Sequence, residues 1–280
     1  MIPPRNLSLL SNRLARAGGR RIPEAVLERD YCLAWFLVAL GRTPLRERLA
    51  FKGGTALKQC YFTDFRFSED LDFTLTAETP FERTREELNR VFVEAQRASG
   101  IVFRFAREDP TPHVNSRTFY LGCEGPRPAP PGGREVKVDI TIREHIAFPL
   151  VQRPILQGYP EYADLPEGVT LVVYSLDEIA AEKVVALTDR ARNEPRDLYD
   201  TWYLVAGDHV NLGSLVGAIE QKWTFRGRSV ADARREFRAK EIRYRRLWEP
   251  RLSAQVVSLP EFAQVYRTVQ RALRQAGLQG

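Results

Sequence analysis

The sequence predicts an α+β fold in which a mixed sheet-and-helix half precedes a helical half. Three observations carry that expectation. Segments that alternate apolar and polar residues, such as "DLDFTLT" (70–76) and "EVKVDITIRE" (135–144), occur only before residue 175. After "GVTLVVYS" (168–175), a last strand, apolar residues recur almost everywhere at helical spacing. The intervening "EGPRPAPPGGR" (124–134), with four prolines and three glycines, is a loop and the only low-complexity piece. The expected domains are therefore residues 1–175, a sheet core with an N-terminal helix, and residues 176–280, all helical.

The elements follow in chain order. "IPEAVLERDYCLAWFLVALGR" (22–42) has Pro23 near its start and an apolar pattern that reads as a buried helix. "RLAFKGG" is a short strand entering a glycine turn, and "TALKQCYF" is a helix after it. "DLDFTLT" is the next strand. "PFERTREELNRVFVEAQRASG" (80–100) is an amphipathic helix closed by Gly100. Strands are expected at 101–107, 116–123 and 135–144. In the second half, "SLDEIAAEKVVALTDRAR" opens with Ser175 as cap and Glu178 three residues on, a capping box. "PRDLYDTWYLVAG" begins a helix at Pro195, and further helices fit 211–223, about 229–247, and 260–275.

Composition narrows the function. No run of about 18 apolar residues is present, which predicts no transmembrane helix. The first twenty residues lack the apolar core of a secretory signal. Cys32, Cys60 and Cys123 are odd in number and far apart, with neither metal spacing nor a disulfide framework; this suits a reducing cytosol. His113, His145 and His209 share no catalytic or metal spacing. The net charge is +6 and the pI about 9.3, so a polyanionic partner is plausible. Between Lys222 and Arg251 eleven Lys/Arg face four Asp/Glu, a local excess of seven that reads as an electrostatic footprint.

Chemistry concentrates in "FKGGTALKQCYFTDFRFSEDLDFTL" (51–75). Asp70 and Asp72 alternate on an expected strand, so they share a face while Leu71 and Phe73 take the other. Two carboxylates so placed repel unless a cation neutralises them. Magnesium prefers oxygen donors, typically a couple of carboxylates plus phosphate oxygens and water. "VKVDI" offers a third carboxylate, Asp139, on a strand that could lie alongside, and three such acids can serve an in-line phosphoryl displacement. The Gly53–Gly54 pair before a helix is a suitable phosphate cradle. Each feature has a plainer reading, solvated acids or a simple turn. A strand, a Gly-Gly turn, a helix and then D-x-D is much more specific than either part.

The ordered motifs "FKGGTAL", "RFSEDLDF", "KVDI" and "SLDEIAAEKVVAL…RDLYD" resemble the AbiEii-type nucleotidyltransferases, which include toxins of type IV toxin–antitoxin pairs and MenT-like enzymes. That family lies in the polymerase-β-like nucleotidyltransferase superfamily, so the resemblance implies that fold for the core. It covers about residues 22–205. It implies that Gly53, Gly54 and Thr55 contact nucleotide phosphates, that Asp70, Asp72 and Asp139 bind magnesium, that Lys183 reaches the triphosphate, and that Asp197 is the last motif's acid. Arg66 and Ser68 join the nucleotide-binding set, with a salt bridge and a strand cap as their respective alternatives. For Lys183 the alternative is a surface lysine, and for Asp200 a helix N-terminal acid favoured by the dipole.

The resulting expectation is a cytoplasmic, magnesium-dependent nucleotidyltransferase toxin that moves nucleotides from NTP to an RNA acceptor. The resemblance implies the tRNA 3′ end as acceptor, arrest of translation, and a cognate antitoxin as partner. Arg234, Arg235 and Arg238, neighbours on one helix face, are the expected RNA contacts, with the cleft around Lys52, Lys58 and Arg66 as the alternative surface. The rival readings are transfer to a protein hydroxyl and a non-catalytic nucleotide- or nucleic-acid-binding module.

Overall fold

The structure is a computed structural model that describes residues 1–111, 114–130 and 133–279. His113, and Pro131 and Gly132 of the expected loop, lie outside the described residues. The chain forms two compact units, one of residues 1–144, 150–174 and 254–257, the other of 145–149, 175–253 and 258–280.

The first unit begins with α1 (Pro4–Arg16) and α2 (Glu24–Gly41). Buried Leu7, Leu10 and Leu14 give α1 an apolar stripe. From Asp30 to Gly41 every residue of α2 is buried, as the apolar run from Tyr31 onward requires. A single 3₁₀ turn (Pro44–Glu47) leads to β1 (Leu49–Lys52), then α3 (Gly53–Ala56), which continues as a π-helical turn over Leu57–Tyr61. Next come β2 (Leu71–Leu75), α4 (Phe81–Ser99), β3 (Val102–Glu108), β4 (Ser116–Glu124), β5 (Glu135–Thr141), β6 (Val151–Pro154) and β7 (Thr170–Val173). Gly100 ends α4 at φ 78°, the left-handed conformation glycine adopts without a Cβ clash.

The sheet has seven strands in the order β3-β4-β5-β2-β1-β7-β6. β2 pairs parallel with β5, and β1 parallel with β7; the other pairings are antiparallel. On one face Phe51, Phe73, Phe119, Leu121, Val138 and Ile140 are fully buried. α2 packs on α4 and β7, and α4 on β3. Lys52, Asp72, Lys137 and Asp139 alternate with these residues and turn to the opposite face.

The second unit holds α5 (Leu176–Leu187), α6 (Pro195–Ala206), α7 (Leu212–Phe225), α8 (Val230–Ala239), α9 (Glu241–Leu252) and α10 (Phe262–Gln275). The single helix expected over 229–247 is thus two helices. The break falls at Lys240, whose ammonium donates to the carbonyls of Leu187, Asp189 and Arg192. A cation at the C-terminal end of α5 is favoured by the helix dipole, and that tie outweighs continuity of α8 into α9. The expected capping box is half made. Ser175 Oγ accepts from Glu178 N at 3.3 Å, but the buried Glu178 carboxylate accepts instead from the amides of Ala147 and Phe148 and sits 2.6 Å from Lys222 Nζ. Neither α1 nor β6 is among the elements expected above.

Candidate active site

β1 and β2 fix the centre of the site. Their register sets Lys52 opposite Asp72, and the β2–β5 register sets Asp72 beside Asp139. Side by side in a sheet, two such residues have α-carbons about 4.8 Å apart and side chains on one face. β4 adds Thr118 opposite Asp139, and its hydroxyl lies 3.3 Å from Asp139 Oδ2. Lys137 Nζ lies 3.6 Å from the same oxygen. Lys52, Asp72, Asp139 and Thr118 therefore form one polar row across four strands. The acids are half-buried.

The glycine turn abuts this row. Gly53 has φ 78°, and a Cβ there would stand 2.5 Å from Asp72 Oδ2. Glycine is required both by the backbone and by the carboxylate. A Cβ on Gly54 would stand 2.5 Å from Arg66 Nη2 and 3.2 Å from Ser68 Oγ, so Arg66 and Ser68 line the other side of the turn. Arg66 is buried; its Nη1 donates to Phe67 O at 3.1 Å and to Gln255 Oε1 at 3.4 Å. Phe67 N also donates to Gln255 O at 2.8 Å, so a residue 189 positions downstream of Arg66 braces the loop that leads into β2. Nothing local in the sequence announces Gln255.

Asp70, expected on the strand with Asp72, stands one residue before it. The strand begins at Leu71, and Asp70 is fixed by its carbonyl, which accepts the buried Thr55 hydroxyl. Thr55 thus ties the glycine turn to the acidic loop. Lys58 is buried too. Its ammonium donates to Tyr159 Oη at 2.9 Å and lies 4.9 Å from the Phe67 ring, while burial lowers its pKa. Lys52 is likewise buried, 5.4 Å from the Tyr174 ring. Neither offers an open surface to RNA.

The remaining motif residues gather in the second unit. Lys183 is buried, not a surface lysine, with its ammonium 2.9 Å from Asp197 Oδ1 and 2.7 Å from Asp200 Oδ2. Asp200 is fully buried in this pair, so the lysine and not only a helix dipole compensates its charge. Arg192 Nε adds a 2.6 Å bond to Asp197 Oδ2. Burial by itself would raise the Asp197 pKa, but the Lys183 ammonium and Arg192 guanidinium outweigh it and hold the carboxyl well below the usual carboxylate range. On α8, Arg234 meets Glu220 at 2.7 Å and Arg235 meets Asp232, whereas Arg238 has no ion-pair partner among the described residues. His145 lies 3.0 Å from Gln221, and His209 stacks on Tyr203.

Among the described residues no group of three or more His, Cys, Asp or Glu is gathered to hold a metal by protein ligands alone. The chemistry of the donor set still fits magnesium. Adjacent Asp72 and Asp139 supply two hard oxygen donors, and magnesium is usually held by one or two carboxylates together with substrate phosphates.

A mixed sheet with paired acids beside a glycine turn defines a nucleotidyltransferase core. The whole-chain comparisons agree with that class. The chain belongs to the family described as nucleotidyl transferase AbiEii toxin, type IV TA system, matched over residues 35–274. Among solved structures it is similar to MenT4, a nucleotidyltransferase toxin of Mycobacterium tuberculosis H37Rv, at TM-score 0.57 and 17% identity over 97% of this chain and 89% of that one. It is also similar to a putative nucleotidyltransferase from H. pylori, at TM-score 0.56 and 16% identity over 91% of this chain and 96% of that one. JHP933 from Helicobacter pylori matches at TM-score 0.53 and 16% identity over 91% and 93% respectively. At these identities the structures speak for the fold. No curated protein matches the chain. Membership makes the protein a nucleotidyltransferase toxin of a type IV toxin–antitoxin system, with an NTP as substrate and a cognate antitoxin. Among the described residues no helix is long and apolar enough to cross a membrane.

Proposed function

We propose that this enzyme acts in the cytoplasm, with magnesium, to move nucleotides from an NTP to an RNA acceptor, the 3′ end of tRNA, and so blocks translation. The observation that carries the reading is the register of Asp72 beside Asp139 with Gly53 packed against Asp72. The triphosphate lies along the Gly53–Gly54 turn, where free amides of the following turn and Arg66 favour anions. Magnesium held by Asp72 and Asp139, with Asp70 at the entrance, would supply neutralising charge to the phosphates and the attacking hydroxyl. Asp139 takes the proton of that hydroxyl, and Lys137 and Thr118 hold its carboxylate in place. The acceptor oxygen bonds to the α-phosphorus as the bond to the β,γ-diphosphate breaks, and pyrophosphate leaves. Lys183, fixed by Asp197 and Asp200, is assigned to the triphosphate through its place in the motif order. Arg234, Arg235 and Arg238 hold the RNA backbone by charge.

Incubation with labelled NTPs, total tRNA and cell protein tests the reading. Label is expected in tRNA and only with a divalent cation present. Label in protein instead would replace the acceptor with a protein hydroxyl, and label in neither would leave a binding module without catalysis.

A further inference from the structure

The face that bears the acids continues onto the outer strands. Along the β4–β5 ladder, Thr118 stands opposite Asp139, and Tyr120 opposite Lys137. On the β3–β4 ladder Phe105 pairs with Leu121 and then Arg107 pairs with Tyr120, which leaves Ala106 as an extra residue. Leu121 and Phe119 are fully buried on the far face. An unbroken ladder would set Arg107 opposite Phe119, facing the core. The bulge instead turns Arg107 to the face of Tyr120, Lys137 and the acids, a recognised use of bulges near active sites.

There the Arg107 guanidinium lies 3.6 Å from the centre of the Tyr120 ring. Its edge is pinned by Glu135, with Nε 3.2 Å and Nη2 2.7 Å from the two carboxylate oxygens. Tyr120 is itself anchored by donating its hydroxyl to Asp109 Oδ2 at 3.2 Å. A guanidinium backed by a ring and pinned along one edge is a flat cation with its outer face open; the Arg107 side chain is 48% exposed. Such planes are what splayed nucleobases stack upon.

We propose that Arg107 on Tyr120 is a nucleobase platform. The proposal rests on the nucleotidyl-transfer reading. By strand order the platform lies beyond the acids, on the side away from the Gly53–Gly54 turn. Two strand spacings and two residues separate Arg107 from Asp139, roughly 12 Å between α-carbons. With the triphosphate along the turn, in-line attack brings the acceptor from this side, so the base is the acceptor's.

The test uses the full chain carrying Asp72→Asn to prevent turnover, with two probes: a short single-stranded RNA ending in 2-aminopurine, and 2-aminopurine riboside triphosphate. Stacking quenches the fluorescence of either. The RNA is expected to be quenched, and adding Arg107→Ala should weaken its binding roughly ten- to a hundredfold and abolish the quench. Arg107→Lys should behave like Arg107→Ala, since it keeps the charge and loses the plane. Quenching of the triphosphate alone, lost in the same variants, would support the platform with the NTP as the source of the base. Equal binding and quenching with and without the Arg107 substitutions, or no quenching of either probe, would overturn it and leave an edge-strand ion pair. A protein that transfers nothing to any RNA in the assay above, yet shows the Arg107-dependent quench, would separate failure of the transfer reading from failure of the platform.

Discussion

Gly53 carries two constraints that a single methyl group violates together. A left-handed φ costs a non-glycine residue about 1–2 kcal/mol, and the added Cβ would displace the Asp72 carboxylate. Gly53→Ala should therefore lower transfer by about a hundredfold while the melting temperature falls by only a few degrees; unimpaired transfer would remove the turn from the site. Asp72→Asn and Asp139→Asn should each abolish transfer with no loss of stability, because neutralising one of two neighbouring carboxylates relieves repulsion. Thermal melts beside the NTP-labelling assay read both effects. Asp197 makes a prediction of opposite kind. Its folded-state pKa is depressed, so it adds stability that is present above the unfolded value near 4 and is lost as pH falls below it. Melting temperature followed from pH 6 downwards should fall below about pH 4, and less steeply in Asp197→Asn.

At the scale of elements, the α5–α6 pair is joined through Lys183, Asp197 and Asp200, all buried. Removing one partner from a buried ion pair costs about 3–5 kcal/mol, because the charges left behind have no water. Lys183→Ala should destabilise by that order, and adding Asp200→Asn should restore part of it. Transfer measured in the restored double variant then separates two roles. Activity that returns with stability marks the lysine as a structural tie between helices. Activity that stays at least a hundredfold down marks it as a contact to phosphate.

At the scale of the whole molecule, net charge and its distribution govern the acceptor. Arg234 and Arg235 already have carboxylate partners, whereas Arg238, Arg243 and Arg246 have none among the described residues. Unpaired cations release more counterions from RNA on binding. Replacing Arg238, Arg243 and Arg246 by Ala should flatten the slope of log K against log salt by up to about two units, with NTP affinity little changed. The triple variant of Arg234, Arg235 and Arg238 should flatten it less. Equal slopes for the parent and both variants would move the RNA surface off this basic region.

Much of this protein was determined by sequence alone, because the signals are local. Period-two alternation in "EVKVDI", glycine at the end of α4, and an apolar α2 each act within a few residues, and each element forms where its pattern lies. The glycine pair upstream of D-x-D likewise pointed to Gly53 and Asp72, which the fold brings together. Tertiary structure decided whatever depends on register or on distant partners. Asp139 became the neighbour of Asp72 only through the parallel β2–β5 pairing, and Gln255 reached Arg66 across most of the chain. Lys183 has a surface-lysine reading in the sequence, and Lys222 and Lys240 fall in its basic region; burial made all three ties, because carboxylates or carbonyls from other elements meet them. Glu178 left its expected cap for the same reason. A buried carboxylate goes to the partner that best compensates its lost hydration, and that partner, Lys222, lies on another helix.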